Sequence, residues 1–267
     1  MSWVSEVAAA RARREPAVLV TVIVSRGHVP RDAGAKMLVT ATAESGSVGG
    51  GNLEATAIEK ARELIGGGES APVTMEFALN EHAPVEHGTQ CCGGEVTLLM
   101  EPILPVPAIA IFGAGHVGLE LSRILVRQDL DLHLIDSRAN ELTPERLASL
   151  NDPVGTVTIH HSPVPELVLG QVPRGTHVLI MTHDHSEDMA LCDAALRCGH
   201  LGSIGLIGSR SKWRRFEKRL LAEGHSPEAV GAISCPIGLP SISGKEPAVI
   251  ALSVAAQLAS QLAMVEV

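Results

Sequence analysis

The sequence predicts an α/β protein in two parts: an N-terminal α+β domain over residues 1–104, then a Rossmann-like, doubly wound parallel-sheet domain with a C-terminal helix over 105–267. Three observations predict it. Ala108 to Asp136 reads as an apolar run, Gly113-x-Gly115-x-x-Gly118, a helical pattern, and a second apolar run closed by an acid. From Thr156 to Ala222 short apolar runs alternate with helical segments, the pattern of a parallel sheet wrapped by helices. Glu101 to Pro107 holds three prolines in seven residues and reads as the linker, with the boundary near residue 105.

Taken in order, Ser2 to Glu15 has helical apolar spacing at Val4, Val7, Ala8 and Ala12 and ends in a basic cluster suited to a helix C-terminus. Ala17 to Val24 is a β-branched run too dense for alternation, so it reads as a strand buried on both faces. A polar loop, Ser25 to Ala35, leads into a strand at Lys36 to Thr40. Gly46 to Asn52 precedes a helix from Leu53 to Ile65, and Pro72 to Leu79 and Glu95 to Glu101 read as strands. Beyond Asp136, strands are expected at Thr156 to His160, Thr176 to Met181 and Gly202 to Ile207, with helices at Glu187 to Cys198 and Ser211 to Ala222. Glu246 to Met264 is an alanine-rich helix apolar nearly all round, which asks for cover from more than one direction and hints at a homodimer.

Composition narrows the function. A net charge of −9 and only five Phe plus Trp, with no Tyr, argue against nucleic acid as a partner. No apolar span of membrane length and no signal-peptide pattern occur, and five cysteines without a zinc-ribbon spacing suit a reducing cytoplasm.

Several segments carry residue types suited to binding. In the glycine turn, Gly113 permits the bend, Gly115 lets backbone approach a pyrophosphate, and Gly118 lets helix and strand pack closely. Asp136, eighteen positions past Gly118, stands where a ribose hydroxyl would be accepted. The run through Gly49, Gly50 and Gly51 is either a flexible turn or an anion-binding loop feeding a helix N-terminus. Ser209, Arg210 and Lys212 follow a strand and open a helix, so hydroxyl, cations and backbone N–H groups can meet one phosphate. His183 and His185 at i, i+2 are a weak metal pattern, because Asp184 with Glu187 already makes a helix-capping box. Cys192 and Cys198 read as small core hydrophobes, and Cys235 sits in a late loop before Pro236. The adjacent Cys91 and Cys92, before Gly93 and Gly94, differ: a disulfide between neighbours is strained, so both read as thiols available to a soft ligand or to transferred sulfur.

Together, Ser25 to Met37, Gly46 to Glu54, Gln90 to Gly94, Ile111 to Gly118, Met181 to His185, Gly208 to Lys212 and Cys235 to Leu239 resemble the XdhC/CoxI family across nearly the whole chain. The resemblance implies a chaperone that binds molybdenum cofactor (molybdopterin), holds it while a cysteine desulfurase supplies a terminal sulfur, and delivers it to apo xanthine dehydrogenase in purine catabolism. The family's cysteine before Gly-Gly falls on Cys92, a possible contact to molybdenum or sulfur, with Cys91 beside it. Pro240 stands where the family often has an acid, so no role is carried onto it. Only a thiolate serves, so the fold is expected to lower the Cys92 pKa, with Arg31 and Lys36 of the first motif as the expected cations. Binding and exclusion, not acid–base chemistry, would then be the task, and no catalytic residue is expected. The alternative is an oxidoreductase using NAD on a small molecule, with His183 or His185 as proton donor, and with Arg138 softening the preference of Asp136 for NAD over NADP.

Overall fold

A computed structural model describes residues 2–79 and 94–263, and the chain divides into two compact units, one running to Pro105 and the other from Val106 to Leu262. Cys91 and Cys92 lie outside the described residues.

The first unit contains α1 (Trp3–Ala12), β1 (Ala17–Arg26), β2 (Lys36–Thr40), β3 (Glu44–Gly46), α2 (Gly51–Gly67), β4 (Val73–Ala78) and β5 (Glu95–Ile103). Its sheet is antiparallel throughout, in the order β3-β2-β1-β5-β4. The dense valine run of β1 is explained by its central place. Val18, Val20 and Val22 pack with Leu53, Ala57 and Leu64 of α2, while Ala17 and Leu19 pack with Ala10 of α1. The run is therefore covered on both faces at its start, and the strand becomes exposed beyond Val22. The short β3, absent from the sequence reading, extends the sheet by three residues.

The second unit follows the doubly wound pattern: β6 (Ala108–Phe112), α3 (His116–Leu125), β7 (Asp131–Asp136), α4 (Pro144–Leu147), β8 (Thr156–His161), β9 (His177–Ile180), α5 (His185–Arg197), β10 (Ser203–Leu206), α6 (Arg210–Ala222), α7 (Pro227–Gly231), β11 (Ile233–Ser234) and α8 (Pro247–Ala263). All six strands are parallel, in the order β11-β10-β9-β6-β7-β8. Alternate residues of β6 point to opposite cores: Ala110 and Phe112 join Leu191 and Phe216, whereas Ile109 and Ile111 join Leu121 and Val254. The chain leaves β6 toward β7 and returns on its other side with β9. That reversal is a topological switch point, the place where open α/β sheets bind ligands at the carboxyl ends of their strands.

Helix α8 buries Ala251, Val254, Ala255 and Leu258 in the core of this unit, and among its large apolar side chains Leu252 is 53% exposed. Its apolar composition thus goes mainly into its own unit. No described helix is long and apolar enough to cross a membrane.

Candidate functional site

Three of the segments singled out in sequence converge in the first unit. Gly49 is so close to the loop between β1 and β2 that an added Cβ would lie 2.5 Å from Pro30 Cγ. Gly94, two residues after Cys92, presses on the same loop: a Cβ there would lie 2.5 Å from the His28 carbonyl oxygen and 2.6 Å from that of Arg26. The loop from Ser25 to Ala35 therefore touches both Gly49 of the triple-glycine segment and Gly94. Arg31, on this loop, is exposed and makes no hydrogen bond or ion pair among the described residues, so its guanidinium is available to an anion. Lys36 is differently placed. It pairs with Thr21 across β1 and β2, its Nζ donates to Thr21 Oγ1 at 2.8 Å, and it lies 5.1 Å from the centre of the Trp3 ring.

The triple glycine is neither an open cradle nor a loose turn. Gly49, Gly50 and Gly51 take φ values of +142°, +74° and +58°, which only glycine adopts readily. The loop holds an anion of its own. Glu54 Oε2 accepts from Ser47 Oγ at 2.5 Å, Gly50 N at 3.1 Å and Val48 N at 3.2 Å. Burial pushes the Glu54 carboxyl up, but the Ser47 hydroxyl and the backbone N–H groups outweigh it and hold its pKa below the ordinary value. Sequence reasoning missed Glu54; the signal was a carboxylate four residues past Gly50, one helical turn from the donors it fills.

In the second unit the glycine turn forms where its spacing places it. Gly118 sits directly against the Gly113 carbonyl, whereas a Cβ on Gly115 would meet nothing within 4 Å. The N-terminus of α3 has no side-chain cap. Asp136, however, is already occupied. Its Oδ1 accepts from Arg138 N at 2.9 Å and Arg138 Nε at 3.0 Å, and its Oδ2 from Ala114 N at 2.7 Å and Arg138 Nη2 at 3.0 Å. Four donors fill a carboxylate, so a ribose hydroxyl would have to displace one of them. Burial pushes the Asp136 carboxyl up, and these bonds overcome that and leave its pKa lowered.

At the ends of β9 and β10, Asp184 caps α5 by accepting from Ser186 N and Glu187 N. Glu187 does not complete the expected box, and instead accepts from Ser137 Oγ at 2.8 Å. Ser209 caps α6 through Lys212 N at 3.2 Å, and Arg210 is exposed at the first position of that helix. Lys212 turns inward, where its Nζ donates to Asp188 Oδ2 at 2.5 Å. No three His, Cys, Asp or Glu side chains gather into a metal site among the described residues.

The thiols also separate. Cys192 is fully buried on α5, where desolvation pushes its pKa up to about 12. Cys198, at the C-terminal end of α5, is partly buried against the same core, its Sγ 3.5 Å from the Leu169 carbonyl oxygen and 3.4 Å from His200 Nδ1. Cys235 is half-buried, and burial raises its pKa as well. Neither Cys192 nor Cys235 resembles an activated thiolate.

Residues 10–78 match the model of the XdhC and CoxI family, and residues 109–258 match that of the XdhC Rossmann domain. The chain belongs to this family. Among curated relatives, the uncharacterized protein YqeB of Escherichia coli (strain K12) is 25% identical over 97% of this chain, and the match spans 46% of YqeB. The molybdenum cofactor insertion chaperone PaoD of the same organism is 28% identical over 91% of this chain and 83% of its own length. A solved structure described as a xanthine dehydrogenase from Bacillus halodurans aligns over 99% of this chain and 96% of its own, with TM-score 0.50 and 21% identity, which shows a shared fold. Within the XdhC frame, the first match spans the Ser25 to Met37 and Gly46 to Glu54 motifs, and the second spans the glycine turn, Thr182 to His185 and Ser209 to Lys212. Cys91 and Cys92 fall between the two matches.

Proposed function

We propose that this chain is a chaperone for molybdenum cofactor, with the cargo held at the loop cluster of the first unit. One observation supports the reading: the first-motif loop, which carries Arg31, packs against both Gly49 and Gly94, and Gly94 follows Cys92 by two residues in the sequence. The name of the relative PaoD supports the class of cargo. A free guanidinium suits the cofactor's phosphate, and a cysteine thiolate suits molybdenum or a transferred sulfur. On this reading a cysteine desulfurase supplies the sulfur while the cargo is held, and an apo molybdenum enzyme of the xanthine dehydrogenase type receives it in the cytoplasm. No proton transfer is asked of the protein. The oxidoreductase reading draws no support from Asp136, whose four acceptor positions are taken within the chain.

The test is cofactor retained after gel filtration, with a melting curve for each variant. Cys92→Ala and Arg31→Ala are expected to lose retention while remaining folded, and Cys198→Ala to keep it. Equal retention in all three would remove the loop cluster as the cargo site.

A further inference from the structure

The second unit has a cavity with several charged and polar residues in its lining that the cargo reading leaves unused. It has a volume of about 310 Å³, lies beyond the ends of β9 and β10, and is lined by Thr182, His183, His185, Ser209, Lys212 and Arg215, with Asp188 at its base. Its size is at the lower end of small-molecule pockets, which run from about 300 to 1,000 Å³.

The base of the cavity is built rather than incidental. The Lys212 side chain is only 7% exposed and that of Asp188 1%. Burying two charges costs several kcal/mol of solvation per ion, so such a pair persists only where further hydrogen bonds satisfy it. Asp188 is satisfied: Oδ1 accepts from Thr182 N at 3.0 Å and Thr182 Oγ1 at 2.8 Å, and Oδ2 from Lys212. Lys212 is not. An ammonium carries three protons, and Nζ spends one on Asp188 and one on the Ile207 carbonyl at 2.8 Å. The third finds no acceptor among the described residues, and the Phe216 ring lies 5.2 Å from Nζ. The route of the side chain depends on Gly208, where a Cβ would lie 2.7 Å from Lys212 Cδ.

The electrostatics select the ligand. The charge of Asp188 is neutralised within the pair, and Asp184 at the lip is turned to the α5 N–H groups it caps. What remains facing the cavity is the Arg215 guanidinium, two imidazoles, the Ser209 hydroxyl and the spare Lys212 proton, with the positive ends of α5 and α6 behind them. We propose that this cavity binds the phosphate group of a small molecule, with Arg215 as its cationic contact, the spare N–H of Lys212 as a donor and Ser209 as a hydroxyl contact. The phosphate comes either from the cargo itself or from a separate phosphorylated ligand. The site does not depend on Cys92.

The experiment is calorimetry of the full chain with inorganic pyrophosphate. Binding in the millimolar range or tighter is expected, weakened at least tenfold by Arg215→Ala and unchanged by Arg214→Ala, an exposed cation outside the cavity lining. Lys212→Met combined with Asp188→Asn, which removes the buried charges together, is expected to abolish binding, with a melting curve to check folding. Cys92→Ala should bind pyrophosphate like the parent, which separates this site from the cargo reading. Cargo displaced by pyrophosphate from the parent protein identifies the cargo's own phosphate as the ligand, and simultaneous binding identifies a separate one. No heat at about 10 mM, or equal weakening by Arg214→Ala and Arg215→Ala, overturns the proposal.

Discussion

At the scale of single residues, two carboxylates do work the sequence did not assign to them. The spacing of Asp136 from Gly118 is legible because one strand and one helix separate them, but its partners are decided by how the turn after β7 folds back. Arg138 and Ala114 reach it before any ligand can. Asp136 is 2% exposed, and Asp136→Asn would point an amide N–H at groups that are themselves donors. Breaking a buried pair this way costs about 3–5 kcal/mol; with Arg138 partly exposed, a loss of about 3 kcal/mol is expected at neutral pH. The pH dependence follows from the lowered pKa. The increment is fully present above the unfolded-state value of about 3.9 and is lost as pH falls toward the lower folded value. Urea unfolding of parent and variant should give a constant gap above about pH 5 and a narrowing gap below about pH 4. A gap that persists undiminished at pH 2 would show that the lost interaction is not ionic. Lys36 gives the same lesson about legibility. Its hydrogen bond to Thr21 follows from strand register, which no local pattern encodes.

At the scale of elements, the parallel sheet was legible because β-branched runs and helical periods alternate without ambiguity from β6 to α6. The misses are short or depend on contacts distant in sequence. The three-residue β3 and the two-residue β11 are too brief to show a period, and both exist because a neighbouring edge offers hydrogen bonds. The capping of α5 was half legible: Asp184 caps as its position implies, while Glu187 is drawn away to Ser137, fifty residues earlier. The Asp188–Lys212 pair joins two helices and was invisible for the same reason. The β6–α3 junction provides a clean test. Gly118→Ala would drive a Cβ into the Gly113 carbonyl, backbone that cannot rotate away, and is expected to cost about 2–3 kcal/mol or prevent folding. Gly115→Ala, which meets open space at the uncapped start of α3, should cost less than about 1 kcal/mol. Thermal melts of the two variants check this, and similar losses would mean that helix capping, not helix–strand approach, controls the junction.

At the scale of the whole molecule, each unit has a sheet and core clusters assembled from its own residues. A piece holding two cores of its own on either side of one parallel sheet has what a domain needs to fold alone. Residues 106–262 expressed by themselves are therefore expected to unfold cooperatively and to show dispersed amide resonances. Collapsed, undispersed spectra would make the second unit dependent on the first. Composition fixed the broad class early, but a charge of −9 conceals local reversals such as Arg31 and Arg215, which appear only once the chain is folded.

The carboxylate that Glu54 lends to the glycine loop also bears on how fast anything held there can come and go. A segment with three successive glycines is expensive to order, and in most binding loops that expense falls at the moment of capture. Here Ser47, Val48 and Gly50 are tied to Glu54 within the chain itself, so the ordering is completed during folding. If the proposed cargo site is here, capture and release would involve little rearrangement of the host, which is the mechanical requirement of a carrier that must give up what it holds.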